Sequence, residues 1–224
     1  MIEALLPSAA VAVEAFIDRA GDEPYPGEED LVARAVASRR QEFVTARRCA
    51  REALARLGHP PAPIRPGPRR EPLWPAGVVG SITHCAGYRA AVVAPAAALA
   101  GLGIDAEPHG PLPEGVAEAV TVAGEPAHLA GLRAADAGVH WDRLLFSAKE
   151  SVYKAWYPLT SRWLGFEEAE LTLDPAGRFT ARVLVDGTRT DGGPPLDVLD
   201  GRWLVERGLV LTAVVVPHPG HPPG

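Results

Sequence analysis

Two acids two residues apart, Asp105 and Glu107, close the run Gly101-Leu-Gly-Ile-Asp-Ala-Glu107. Read as a strand, the run puts Leu102, Ile104 and Ala106 on one face and Gly103, Asp105 and Glu107 on the other. Carboxylates paired in this way can hold a hard cation such as magnesium, which takes a few acids and leaves room for waters and substrate phosphates. Solvated acids at a strand end have the same pattern. A second group lies in Phe146-Ser-Ala-Lys-Glu-Ser-Val-Tyr-Lys-Ala-Trp156. At about 100° per residue, Glu150, Lys154 and Tyr157 share one side of a helix, and Ala148, Val152, Ala155 and Trp156 cover the buried side. Lys149 falls between the two. A Glu–Lys pair four residues apart also occurs as a weak surface ion pair. The third group is Gly80-Ser-Ile-Thr-His-Cys-Ala-Gly-Tyr88, where Thr83 and His84 end a strand beside a glycine turn and can reach a ligand. A lone histidine at a strand end equally arises without a role.

The elements that must position these groups follow from periodicity and turn chemistry. Glu28–Arg39 reads as one helix, and Ser38-Arg-Arg-Gln41 has the form of a capping box that opens a second. Phe43, Ala46, Ala50, Ala53, Leu54 and Leu57 mark that helix's buried stripe, with Arg40, Arg47 and Arg51 on one face beside it. Gly58 ends it. Seven prolines between His59 and Pro75 exclude regular structure there. Gly77–His84 and Tyr88–Ala94 read as a hairpin, and Ala98–Glu107 as a third strand. After a Pro/Gly-rich stretch come a helix at Trp141–Tyr157 and strands near Phe179–Val185, Arg202–Glu206 and Leu209–Val216. The order helix, hairpin, helix, hairpin predicts an α+β fold of two similar halves. They meet near residue 105, although no internal repeat is visible. The tail from Pro217 to Gly224 reads as disordered.

Composition narrows the classes. Hydrophobic residues at 47% and charged residues at 22% suit a globular chain with a proper core. Acidic Glu3 and Glu14 and the lack of a basic n-region argue against a secretory signal, and no apolar run is long enough to span a bilayer. Cys49 and Cys85 are too few for a disulfide framework, so the expected location is the cytoplasm. A net charge of −6 gives no reason to expect nucleic acid. Nine arginines nevertheless fall between Arg39 and Arg70, with few acids among them. Such a local basic patch suits an anionic ligand or partner.

In order and spacing, Gly80-Ser-Ile-Thr-His84, Gly103-Ile-Asp-Ala-Glu107 and Phe146-Ser-Ala-Lys-Glu-Ser-Val-Tyr-Lys154 resemble the Sfp-type 4′-phosphopantetheinyl transferases, closest to their EntD-like, actinobacterial branch. The resemblance runs from Arg39 to Val216 and takes in Pro72-Leu-Trp-Pro75 and Trp163-Leu-Gly-Phe166. It implies a pseudo-twofold fold with the active site between its halves. Residues 1–104 would form the coenzyme A nucleotide wall and 105–216 the metal and base centre. The implied reaction moves the phosphopantetheine arm of coenzyme A to a serine of an apo acyl or peptidyl carrier protein, releasing 3′,5′-ADP. Asp105, Glu107 and Glu150 would hold Mg²⁺, for which Mn²⁺ is a candidate substitute. Glu150, or a water it positions, would be the base. Lys154 would steady the phosphates, helped by Lys149 and His84. Arg39 and Arg47 match residues on the adenosine 3′-phosphate, and Thr83 lies on the same wall. The branch further implies a monomer serving polyketide and nonribosomal peptide synthesis.

One stretch departs from the branch. A lysine expected after Ala62-Pro-Ile64 is missing, and Arg65-Pro-Gly-Pro-Arg-Arg70 stands there; Arg65 and Arg69 are candidate substitutes, but arginine is not the equivalent of lysine in geometry. A magnesium-dependent hydrolase of coenzyme A or nucleotides would use much the same side chains. A non-catalytic coenzyme A or carrier-docking module is the other rival.

Overall fold

The computed structural model describes residues 1–218. It is a mixed α/β molecule built on two antiparallel sheets. Strands β1 (Val11–Ala15), β2 (Val78–Cys85) and β3 (Tyr88–Pro95) form a three-stranded sheet in the order β1-β3-β2. Strands β4 (Leu99–Pro108), β5 (Ala169–Asp174), β6 (Arg178–Val183), β7 (Val198–Glu206) and β8 (Leu209–Pro217) form a second, ordered β4-β8-β7-β6-β5. A twenty-residue helix packs on each: α1 (Ala37–Arg56) on the first and α4 (Trp141–Thr160) on the second. Two shorter helices, α2 (Val116–Val120) and α3 (Glu125–Ala135), precede α4. No helix among the described residues is long and apolar enough to cross a membrane.

The period-two alternation of β3 and β8 divides the interior. Ala91 and Val93 of β3 pack with Cys49, Ala50, Ala53 and Leu54 of α1. Tyr88, Ala90, Val92 and Ala94, one residue out of phase, pack with Leu102, Ile104 and Ala106 of β4. On β8, Leu209, Leu211 and Ala213 join that middle layer, while Val210, Val214 and Val216 meet α4. Each fully buried Leu or Val contributes roughly 1.5–3 kcal/mol, so the stripe Leu144, Leu145, Ala148, Val152, Ala155, Trp156 and Leu159 seats α4 firmly.

Two details bring α4 and the β2 turn to one place. The helix lies directly on β4, so close that a side chain at Gly103 would collide with the Ser151 carbonyl. The two sheets meet where β2 and β4 run side by side. There the Ser81 hydroxyl accepts from Ile104 N–H at 3.1 Å, and that of Thr83 from Ala106 N–H at 3.0 Å. Side-chain hydroxyls thus replace a backbone ladder along this seam.

Several expected elements need correction. Glu28–Arg39 is not one helix. It holds a single 3-10 turn at Glu29–Val32, and α1 begins at Ala37 after an extended Val36 with no side-chain cap. Buried contacts of Glu28 with Arg51 and Ile64 fix that segment and override its helical period. Strands β1 and β5 and helices α2 and α3 were not read from the sequence. Strand β6 ends at Val183, β7 starts earlier at Val198, and α4 runs on through Pro158 to Thr160. The hairpin, β4 and the Gly58 stop fall where expected. The boundary expected between residues 104 and 105 lies within β4. Of the tail, Pro217 ends β8 opposite Leu99, and residues 219–224 lie outside those described.

Candidate active site

A polar stripe on α4 faces the acids of β4. Arg143, Ser147, Glu150 and Lys154 recur at four, three and four, one side of the helix. Asp105 is nearly buried and is held by three donors. Lys154 Nζ lies 2.7 Å from Oδ1, the Thr83 hydroxyl donates to the same oxygen at 3.3 Å, and the Ser147 hydroxyl donates to Oδ2 at 2.8 Å. Lys154 also donates to the Ile104 carbonyl at 3.1 Å. Glu107 accepts from Arg143 Nη1 at 2.8 Å, while Arg143 is anchored on the Gly110 and Pro111 carbonyls. Glu150, half-buried, makes no hydrogen bond or ion pair among the described residues.

These acids feel one another. Burial first, and the charge of Asp105 second, raise both Glu107 and Glu150 above the ordinary carboxylate range. Arg143 and Lys154 oppose the rise at Glu107, and Lys154 alone opposes it at Glu150. A set of hard oxygen donors with uncompensated negative charge suits a hard divalent cation in kind. The three carboxylates are not drawn together, however. Protein cations hold two of them, and among the described residues no group of three acid, His or Cys side chains stands close enough to bind a metal ion.

Across the seam, Arg39 at the start of α1 reaches His84 at the end of β2, with Nη1 3.2 Å from the ring Nε2. Glu42 joins them, 3.1 Å from Arg39 and 3.6 Å from His84. Burial, then the Arg39 charge, lower His84 to about 4, so the ring is neutral at pH 7 and serves as a hydrogen-bonding group. Thr83 is buried, its hydroxyl committed to β4 and Asp105. Arg47 lies over the Phe43 ring at 3.8 Å and donates from Nε to the Ile64 carbonyl at 3.1 Å. Burial lowers it to about 10, yet it remains a cation at neutral pH.

Most of the basic cluster is neutralised internally. Arg40 pairs with Glu23, Arg48 with Asp22 and Glu52, Arg51 with Glu28, and Arg65 with Asp30. Arg47 has no carboxylate partner among the described residues. Neither does Arg69, whose guanidinium lies 5.6 Å from the Trp163 ring. Of the two arginines that could replace the expected loop lysine, Arg65 is therefore occupied and Arg69 is available.

Lys149 is not gathered with the β4 acids. Its ammonium is buried 3.0 Å from Glu125 and 2.8 Å from the Phe166 carbonyl. Burial lowers its pKa while Glu125 opposes the shift. With Glu150, Tyr153, Trp163, Leu164 and Phe166 it lines a cavity of about 230 Å³. The Tyr153 hydroxyl is buried with no hydrogen-bond partner among the described residues. Glu150 therefore borders both the acid cluster and this cavity. The sequence reading missed Arg143, Ser147, Glu125 and Tyr153. The spacing of Arg143 and Ser147 with Glu150 and Lys154 was a usable signal for the first two; nothing local marks Glu125.

Comparison with known proteins agrees along nearly the whole chain. The model of the 4′-phosphopantetheinyl transferase N-terminal domain matches residues 27–94, and that of the 4′-phosphopantetheinyl transferase superfamily matches residues 101–196. The 4′-phosphopantetheinyl transferase Svp of Streptomyces mobaraensis is 59% identical, the match covering 98% of this chain and 90% of the relative. PptT of Mycobacterium tuberculosis, of the same description, is 55% identical over 91% and 90%. Npt of Nocardia iowensis, also so described, is 49% identical over 96% and 99%.

Proposed function

The chain belongs to the 4′-phosphopantetheinyl transferase superfamily, in its Sfp-type actinobacterial branch, and from that premise we propose how its residues divide the reaction. The donor is coenzyme A and the acceptor a serine of an apo acyl or peptidyl carrier protein; the products are the holo carrier and 3′,5′-ADP. The observation that carries this reading is Glu150, an unpaired carboxylate set between the acid cluster of β4 and an adjoining cavity. A base belongs between the leaving diphosphate and the incoming hydroxyl.

Asp105, Glu107 and Glu150 would hold Mg²⁺, or Mn²⁺ in its place. When bound, the ion neutralises the diphosphate charge that builds up as the phosphoryl group transfers. Lys154 adds a second positive charge beside Asp105 and steadies the same oxygens. Glu150 takes the serine proton, since no protein cation occupies its carboxylate among the described residues. Neutral His84 donates or accepts a hydrogen bond at the phosphates, with Arg39 beside it. Arg47 meets the 3′-phosphate, a role suited to a half-buried guanidinium without a carboxylate. Thr83 supports this wall by fixing β2 to β4. The pantetheine arm occupies the cavity, where Lys149 and the unpartnered Tyr153 hydroxyl meet it, and Arg69 stands at its rim in place of the expected lysine. Residues 1–104 would thus grip the nucleotide and residues 105–216 carry the chemistry, with the site between two related halves. A monomer acting in the cytoplasm belongs to the same reading.

Incubation with coenzyme A and Mg²⁺, with and without an apo carrier, tests it. The expected result is 3′,5′-ADP only when carrier is present, together with a carrier heavier by one phosphopantetheine arm. Release without carrier would instead identify a hydrolase. Binding with neither product would identify a non-catalytic module.

A further inference from the structure

Glu28 belongs to no motif, yet it is completely buried. A buried carboxylate is costly unless charge and hydrogen bonds compensate it, so its contacts indicate its purpose. Oε1 accepts from Arg51 Nη1 at 2.8 Å and from Ile64 N–H at 2.7 Å. Oε2 is buried without a hydrogen-bond partner among the described residues. The Arg51 guanidinium lies over Tyr25 at 4.4 Å, which pins the same segment against α1. Ile64 in turn uses its carbonyl to accept from Arg47 Nε. The proline-rich segment around Ile64 has no helix or strand of its own, so contacts of this kind set its height above α1. Glu28 also supplies charge. Arg51 and Arg65 repel Arg47, and Glu28 is the acid that opposes them.

We propose that Glu28 is a positioning residue for coenzyme A. Through Ile64 it holds Arg47 by Nε, so that the two terminal Nη groups, unbonded among the described residues, stay free for the 3′-phosphate. The proposal rests on the assignment of that phosphate to Arg47. One oxygen of Glu28 is fully used in setting the wall, and the other keeps negative charge behind a cation that must not be paired directly. A carboxylate placed against Arg47 itself would compete with the ligand; one placed a residue away aligns it and leaves its outer edge open.

The test compares wild type, Glu28→Gln, Glu28→Asp and Arg47→Ala, with coenzyme A and 3′-dephospho-coenzyme A as alternative donors to one apo carrier. Glu28→Gln is expected to raise KM for coenzyme A about tenfold, the scale of one misaligned charge-assisted hydrogen bond, and to lower kcat far less. KM for the dephospho donor should barely change, and Glu28→Asp should recover part of the loss. A carboxylate that only supports the fold would lower Tm and weaken both donors equally, and that result overturns the proposal. If Glu28→Gln does not accumulate as folded protein, Glu28→Asp carries the same comparison. If Arg47→Ala fails to distinguish the donors, the phosphate assignment is wrong and this proposal falls with it. If Arg47→Ala distinguishes them and the Glu28 variants do not, only the positioning role is overturned.

Discussion

Helices α1 and α4 have the same length, and each seats an apolar stripe on its own sheet, but they treat charge in opposite ways. On α1 arginines dominate, acids neutralise most of them, and Arg47 is left a half-buried cation without a carboxylate partner among the described residues. On α4 the charged stripe faces acids of β4, cations hold Asp105 and Glu107, and Glu150 is left a half-buried acid without an ion-pair partner among the described residues. A desolvated charge kept unpaired is expensive, so it marks where a ligand is to complete the site. By this logic α1 provides for an anion, whereas α4 provides for a cation and a proton. Lesions on α4 should therefore slow the step itself, and lesions on α1 should weaken donor binding.

The largest test of that contrast is removal of divalent cation. Chelation should abolish transfer to the carrier, and Mg²⁺ should restore it; undiminished transfer in chelator would remove the metal from the α4 side. Next is Lys154→Ala, expected to lower kcat by about 10²–10³, the range for losing one group that stabilises developing charge. An effect confined to KM would place Lys154 with α1's task instead. Arg47→Ala follows, with a KM for coenzyme A raised roughly tenfold and kcat little changed. Steady-state kinetics separates these outcomes.

The smallest effect concerns stability. Folding raises the Glu150 pKa above 4.5, so the fold favours its protonated form. That stabilising contribution is present below the unfolded pKa and is lost as pH rises through the folded one. At pH 7 the ionised group therefore opposes folding. Without divalent ion, Glu150→Gln should raise Tm at pH 7 by about 2–4 °C, and the gain should vanish as pH falls towards 4.5. Thermal melts over that range check it, and a lower Tm at pH 7 would show that Glu150 has a stabilising partner.

The placement of the candidate side chains was legible where one periodicity settles direction. Strand alternation put Asp105 and Glu107 on the face opposite Leu102, Ile104 and Ala106, and helical period separated Glu150 and Lys154 from Val152 and Trp156. What sequence could not give depends on partners far along the chain. Lys149 lies next to Glu150, but Glu125, twenty-four residues earlier, draws its ammonium into a buried pair. The Thr83 hydroxyl serves a strand seam that no local pattern announces. Likewise Glu28 has the helical period of its neighbours, and only Arg51 and Ile64 reveal why no helix forms there. Strand β1 was missed for a related reason: of its five residues only Val13 is buried, so alternation is faint.

Glu150 as base as well as metal ligand is the core of the division of labour proposed for the α4 side. Glu150→Gln, given coenzyme A, Mg²⁺ and an apo carrier, tests it most directly by the mass of the carrier and by coenzyme A binding to the same variant. Gain of the phosphopantetheine mass should slow at least about a hundredfold, the lower range for losing general base catalysis, with coenzyme A still bound. Transfer at the wild-type rate would contradict it.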